Sequence, residues 1–361
     1  MNKAIATLTI LLMLAAGTIR GQVVPFGPGM NVAEVVQQGA DQMAEVVQNG
    51  RGNDSGIDQQ GEGNEATILQ GDNPAGQRAN LAEAGIAQSG RENTATTDQA
   101  GRQQYSMQTQ TGDNLRATTV QRGRNNDAQI DQQGSGHRAA VNQQTKLFRP
   151  ATNNEARIEQ YLGADNEAVV NQAGDRNDAE VVQTNGSGNK TVVSQRGDLN
   201  TSYVAQGSAL LPGSGNEAYV SQRGDRNNST ILQVGGSENH AEVRQLSDGN
   251  VSVIGQFFGQ HNDIQLRQEG GNSNRSFIGQ VGGLENEVDL LQDGALNESL
   301  IGTLSGNHND VNLDQLGRRN QSIIGVVGDL NTIQVMQEGL RNSSNISVSG
   351  RSNTTRVTQR N

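Results

Sequence analysis

The chain lacks cysteine and tryptophan, has only five prolines, and carries aromatic residues at 2% of its 361 positions. Without cysteine there is no disulfide framework, thiol nucleophile or thiolate metal site. Without aromatics a large layered core has little to fill it, and Leu, Ile, Val and Phe reach only about a fifth of the chain, near the level at which chains stay disordered. Basic charge is also scarce: 27 Lys and Arg face 38 Asp and Glu, a net charge of −11. Such a chain has no electrostatic pull toward nucleic acid or an anionic membrane. Long apolar runs are missing with one exception, Ile5 to Ala16 behind Lys3. That run is too short to span a bilayer comfortably and leads through small residues to Gly21-Gln22, the pattern of a secretory signal peptide over residues 1–21. The mature chain is therefore expected to be secreted, extracellular or at the cell surface, with no membrane span.

What the sequence has in abundance is glycine, at 46 residues, and Asn plus Gln, at a little over a fifth of the chain. These are not scattered. A unit Asn-x-Ala/Ser-x-Val/Ile-x-Gln recurs, as in Asn64-Glu-Ala66-Thr-Ile68-Leu-Gln70, Asn177-Asp-Ala179-Glu-Val181-Val-Gln183 and Asn216-Glu-Ala218-Tyr-Val220-Ser-Gln222. Its leading residue steps by 11 or 12 through Asn166, Asn177, Asn189 and Asn200, then from Asn216 through Asn227, Asn239 and onward to Asn353. The same step runs from Asn31 through Gln42 and Asn53 to Asn64, and from Asn93 through Gln104, Leu115 and Asn126 to His137.

Constrained residues fall at every second position, the period of a strand. Between units lie Gly and Asp, as in Gly174-Asp175-Arg176 and Gly224-Asp225-Arg226, which is turn chemistry. The expected fold is all-β: a two-sheet, cross-β solenoid of about 14 strand-turn-strand coils, about 23 residues each, over residues 31–359. Residues 22–30 form a lead segment. None of the prolines falls inside a unit; Pro74, Pro150 and Pro212 mark loop insertions near 71–81, 144–153 and 207–215.

Stacked coils place like residue over like, so the inward amides are expected to form structural ladders along the axis. The ladder residues are Asn64, Gln70, Asn166, Gln172, Asn177, Gln183, Asn189, Gln195, Asn216, Gln222, Asn227, Gln233, Asn239 and Gln245. No catalytic residue, cofactor site or metal site is expected. His137, His240, His261 and His308 read as solvated turn residues, and Asn-x-Ser triplets such as Asn200-Thr-Ser202 as strand motifs with Ser in the Ala slot. The Gly-Asp turns lack the glycine-rich pattern of calcium-binding solenoids. From residue 250, alternate strands change to Asn-x-Ser-apolar-Ile-Gly, which puts Val253, Phe277, Leu300 and Ile323 outside, in line, beside a column of glycines. That stripe is a candidate association surface.

Gln48-Asn-Gly50-Arg-Gly52-Asn53 and Gln59-Gln-Gly61-Glu-Gly63-Asn64-Glu-Ala66-Thr-Ile-Leu-Gln70 resemble the curlin repeat of bacterial curli fibres, Ser-x5-Gln-x-Gly-x-Gly-Asn-x-Ala-x3-Gln. The likeness covers most of residues 31–359. It departs in the first position, usually Asn here, in the commoner Gly-x-x-Asn turn, and in an array far longer than the family's usual one. The resemblance implies a secreted functional-amyloid subunit, exported through a dedicated outer-membrane pore, nucleated at the cell surface by a second subunit, and built into pilus-like fibres for adhesion and biofilm. A nucleator of another fibre subunit, and a monomeric solenoid adhesin or surface-binding protein, are the alternatives.

Overall fold

A computed structural model describes residues 30–71, 79–144, 152–208 and 210–361, with the backbone of Thr7–Leu14 and Gly17–Gln22. All the regular elements are strands, because Val, Ile, Thr and Ala alternate with polar residues and every seven to ten residues a turn intervenes. The chain forms two compact units, residues 1–177 and 178–361. Each is a β-solenoid of two parallel sheets, with six coils in the first unit and eight in the second.

Successive turns of the chain feed alternate sheets. In the second unit Glu287–Ala295 lies between Asp263–Gly270 and Asp310–Arg318 in one sheet, while Glu298–Leu304 lies between Arg275–Val281 and Gln321–Val327 in the other. Register is strict: Val288 pairs with Ile264 and Val311, and Leu290 with Leu266 and Leu313. Like stacks on like because the side-chain period is 2, and a one-residue slip would turn every apolar residue outward. Equivalent residues are mostly 22 to 24 apart. The offset stretches to 29 between Gln70 and Gln99, 29 between Gln143 and Gln172, and 27 between Gln195 and Gln222. Those are the coils for which the sequence predicts inserted loops. Residues 72–78, 145–151 and 209 lie outside the described residues, but Ala79–Asn80 and Thr152 return to pair beside neighbouring turns.

The core is narrow. On most strands one column of Ala, Ser or Thr and one of Val, Ile or Leu are buried, as with Ala33 and Val35 facing Ala44 and Val46; Ile264, Val288, Val311 and Ile333 enlarge the first column, and Thr97, Gln108 and Thr119 stand in the second. Each buried Val or Ile contributes about 1.5–3 kcal/mol relative to exposure, and repetition over all coils supplies what no single layer could. Residues 1–6, 15–16 and 23–29, and with them parts of the expected signal peptide and lead segment, lie outside the described residues. Thr7–Leu14 pairs antiparallel with Gln42–Arg51, and Gly17–Gln22 with Val32–Ala40, so both lie along the edge of the first coil.

Most arcs between strands use two positive-φ positions, though the arc ending at Gly249 has one and the arc from Gly235 to Glu238 has three. The glycine two residues after the ladder Gln, such as Gly294, takes φ +124°, where an added Cβ would overlap the Gly317 carbonyl of the next coil. Only glycine fits there. The second position, just before the leading Asn, lies near φ +55° and accepts Arg226, Glu238 or Leu296 as readily as Gly63 or Gly249. The commoner Gly-x-x-Asn turn of this sequence keeps glycine only at the first. Ordinary residues tolerate the second because it is the αL well, held by regular bonds such as Leu296 N–H to the Asn272 carbonyl at 3.1 Å.

Candidate functional site: the amide ladders and the outer face

All fourteen ladder residues, from Asn64 and Gln70 to Asn239 and Gln245, are buried. The two amide types do different work. Within a unit the ladder Gln residues donate from Nε2 to the Oε1 of the Gln one coil further on, as Gln222 does to Gln245 at 2.9 Å, Gln245 to Gln268 at 2.9 Å and Gln268 to Gln292 at 2.8 Å. The second proton of the same amide crosses the interior to a backbone carbonyl of the facing sheet, as Gln195 does to Asp178 at 2.8 Å and Gln233 to Glu217 at 3.0 Å. A ladder Gln therefore ties coil to coil and sheet to sheet.

Asn acts as a latch on the turn. Its side-chain oxygen accepts the backbone N–H of the next leading Asn, as Asn216 Oδ1 does from Asn239 at 3.0 Å, and its Nδ2 donates to a turn glycine carbonyl, as Asn239 does to Gly259 at 2.9 Å. Like amide thus bonds to like amide for Gln and, running one coil back, for Asn as well, as Asn239 Nδ2 does to Asn216 Oδ1 at 3.1 Å, while Asn also spends much of its capacity on backbone. The side chain of Asn is one methylene shorter and sits where the chain bends, so backbone groups are its nearest partners.

The direction of donation is fixed, and one sheet breaks it. Gln233 donates to Gln256 at 2.8 Å and Gln256 to Gln280 at 3.2 Å, but the next residue in line is Thr303, followed by Val326 and Val348. Among the described residues Gln280 Nε2 has no partner. The other sheet carries its Gln ladder through Gln337 to Gln359 at 2.8 Å.

His137 does not occupy a solvated turn. It stands in a leading-Asn position, fully buried, and its Nδ1 accepts the Asn166 N–H at 3.2 Å, the role an Asn oxygen plays elsewhere. Burial pushes its pKa below the ordinary imidazole value, with the Gln133 carbonyl and Asp165 opposing that shift without reversing it. Between the folded-state value and about 6.5 the unfolded chain binds the extra proton, so stability falls as pH is lowered through that window. His137→Asn is expected to remove this acid sensitivity while keeping the latch; denaturation of both chains at pH 7.5 and pH 5 measures it. The other histidines pair with glutamates one coil back: His261 with Glu238 at 2.6 Å, His308 with Glu285 at 2.9 Å and His240 with Glu217 at 3.6 Å.

The turn aspartates are also engaged. Asp225 accepts the Asp198 N–H at 2.8 Å and Asp248 the Asp225 N–H at 2.9 Å, a carboxylate ladder bonded to backbone. Asn200 of the Asn-x-Ser triplet and its Ser202 are buried in the coil.

On the outer face, Val253, Phe277, Leu300 and Ile323 stand in one register line. Phe277, Leu300 and Ile323 are exposed and Val253 is half-buried. A second line, exposed at Val281, Leu304 and Val327, runs parallel to it, and was not singled out by the motif because it lies beyond the repeated Ile-Gly.

A search among curated proteins finds no match. A family model, the Curlin associated repeat, matches residues 112–144, 151–184, 163–197, 213–246, 236–270, 283–317 and 306–339, together more than half of the chain. Those matches coincide with coils whose Gln and Asn ladders have just been described, and on both grounds the chain belongs to the curlin-associated-repeat family.

Proposed function

We propose that the protein is the subunit of a secreted, curli-type amyloid fibre that serves adhesion and biofilm, and that it acts by stacking copies rather than by chemistry. The observation that carries this reading is the state of the ladder ends. At the first coil, Gln37, Gln42 and Gln48 have side-chain oxygens without a partner among the described residues. Among the described residues, Thr354–Arg360 pairs on one side only, and its inward residues Thr355, Val357 and Gln359 are half-exposed where their counterparts elsewhere are buried. Gln donates toward higher residue numbers along the ladder, so Gln359 offers a donor where Gln48 of a second copy offers an acceptor. Open strand edges and unpaired amides both favour addition of another chain.

Removal of residues 1–21 would take away Thr7–Leu14 and nearly all of Gly17–Gln22, the two strands that cover the first coil, and so couples export to assembly competence. An export pore and a nucleating subunit are the partners such a route requires. The test is to incubate the purified chain lacking residues 1–21 and examine it by electron microscopy and fibre diffraction. Fibres with reflections near 4.8 Å and about 10 Å are expected; persistent soluble monomers would overturn the reading in favour of a monomeric adhesin.

A further inference from the structure

The two faces of the second unit differ in charge. On one sheet, the outward positions of Asp263–Gly270, Glu287–Ala295 and Asp310–Arg318 bear Asp263, Glu287 and Asp310 in one register line, with Asp289 and Asp314 beside them. Burial and mutual repulsion raise the pKa values of Glu287, Asp289 and Asp314, as expected where like charges stack. On the other sheet, the outward positions over the same coils hold one acid, Glu298, and one base, Arg275, and are otherwise uncharged.

That neutral face has relief. Gly255, Gly279, Gly302 and Gly325 form one residue line between the ridge that contains Phe277 and the ridge that contains Leu304, an open floor from Gly279 to Gly325 that is covered at Gly255 by the Phe257 ring, 2.7 Å from where a Cβ would stand. None of the four needs glycine for its backbone, since their φ values lie outside the left-handed region. Around Gly302 and Gly325 no atom lies within 4 Å of where a Cβ would stand. Glycine in a strand interior weakens the strand and commonly marks a place where another backbone or ligand comes close. The trough has ends: the line continues into Leu232 above Gly255 and Ser347 below Gly325, and there the ridges give way to Thr230 and Asn345.

We infer that this ridge-and-trough face packs against the same face of a second copy, the Phe277–Leu300–Ile323 ridge of each seated in the glycine trough of the other. Ridge and trough are adjacent lines of one sheet, about 6.8 Å apart, so a two-fold axis between them brings both into register at once and satisfies the self-complementarity a symmetric contact demands. Big residues opposite glycine are how paired sheets interdigitate in dry zippers. A copy of the same acidic chain is repelled by the other face, which leaves this one for self-contact.

The size of the patch decides when the contact forms. Four coils at about 4.8 Å by three residue lines give roughly 400 Å² per copy, below the roughly 600 Å² or more that each partner of a stable pair contributes. Single chains therefore stay apart. In a fibre the patch repeats with every subunit, and the summed contacts hold two fibres side by side. The inference thus rests on the fibre reading and adds lateral pairing to it.

The test uses fibres grown from the chain lacking residues 1–21, scored for filament width by electron microscopy and for pelleting at low speed. Gly302→Val with Gly325→Val fills the trough with a good strand former in open space. It is expected to assemble at the same concentration or lower, yet to give single filaments, with the low-speed pellet falling at least fivefold. Leu300→Thr with Ile323→Thr, which lowers the ridge, should do the same. Wild-type fibres that never pair, or variant fibres that pair as the wild type does, would overturn the inference and leave the fibre reading standing. A wild-type chain that forms no fibres overturns both.

Discussion

Gly294→Ala is expected to unfold its coil and its neighbours, with a loss of roughly 3–5 kcal/mol. Gly294 sits at φ +124°, a region closed to L-residues, which costs about 1–3 kcal/mol. The added methyl also meets the Gly317 carbonyl oxygen one coil on. Relieving that overlap means widening the spacing between coils, and overpacking of this kind costs about a further 1–3 kcal/mol. Urea denaturation, with hydrogen exchange localising the damage to Glu287–Ala295 and Asp310–Arg318, measures the effect. Gly302→Val is the control within the same unit, since it adds a larger side chain to a glycine of ordinary φ with nothing within 4 Å, and its effect should stay below about 1 kcal/mol. Equal losses from the two changes would refute the distinction between turn glycines and trough glycines.

Breaking one rung of the Gln ladder is the second large effect. Gln268 accepts from Gln245 at 2.9 Å and donates to Gln292 Oε1 at 2.8 Å and to the Val251 carbonyl at 3.2 Å, in a fully buried position. Gln268→Leu removes the donor to Gln292 and the acceptor of Gln245 while keeping much of the volume. Two buried polar groups left short of partners cost about 1–3 kcal/mol each. Gln268→Glu is sharper because its effect titrates. As a carboxylate it turns an acceptor toward the Gln292 oxygen; protonated, its O–H can donate there and restore the rung. The folded-state pKa of the new carboxyl is therefore raised above the unfolded one. The native state then binds the extra proton, and stability recovers as pH falls through the folded-state value. Denaturation midpoints of the Leu and Glu variants between pH 7.5 and 4.5 decide it: the Leu variant should track the wild type at a constant deficit, while the Glu variant closes the gap in acid. A Glu variant with no such recovery would show that the ladder bond is not what holds this layer.

Both effects depend on the same spacing. A parallel stack leaves about 4.8 Å between equivalent backbones, a distance that suits an amide bonded to its copy and forbids a methyl at a turn whose carbonyl points along the axis. This also explains why the chain manages without aromatics. Between the sheets there is room for Ala66 and Ile68, not for rings, and the aromatic residues Tyr105, Phe258 and Phe277 stand at the surface.

The repeat alone determined the strand period, the coil length and which residues turn inward, because a period of 2 inside a period of about 23 admits one way of stacking like on like. It also put Val253, Phe277, Leu300 and Ile323 in a line outside. Several features were decided only by the tertiary structure. Gln bridges to the facing sheet through backbone partners such as Asp178 for Gln195, 17 residues back, and Glu217 for Gln233, 16 back, a regular offset that names no partner until the two sheets stand face to face. His137 could be read as a turn residue because its letter differs from Asn, yet its place in the stack buries it and gives its ring nitrogen the work of an amide oxygen. The second ridge and the openness of the glycine trough became visible only when neighbouring coils were laid side by side. The physical reason is common to all of these. Sequence periodicity records which way a residue points, but a hydrogen bond or an empty space depends on what stands opposite, one coil away along the axis or one sheet away across the core.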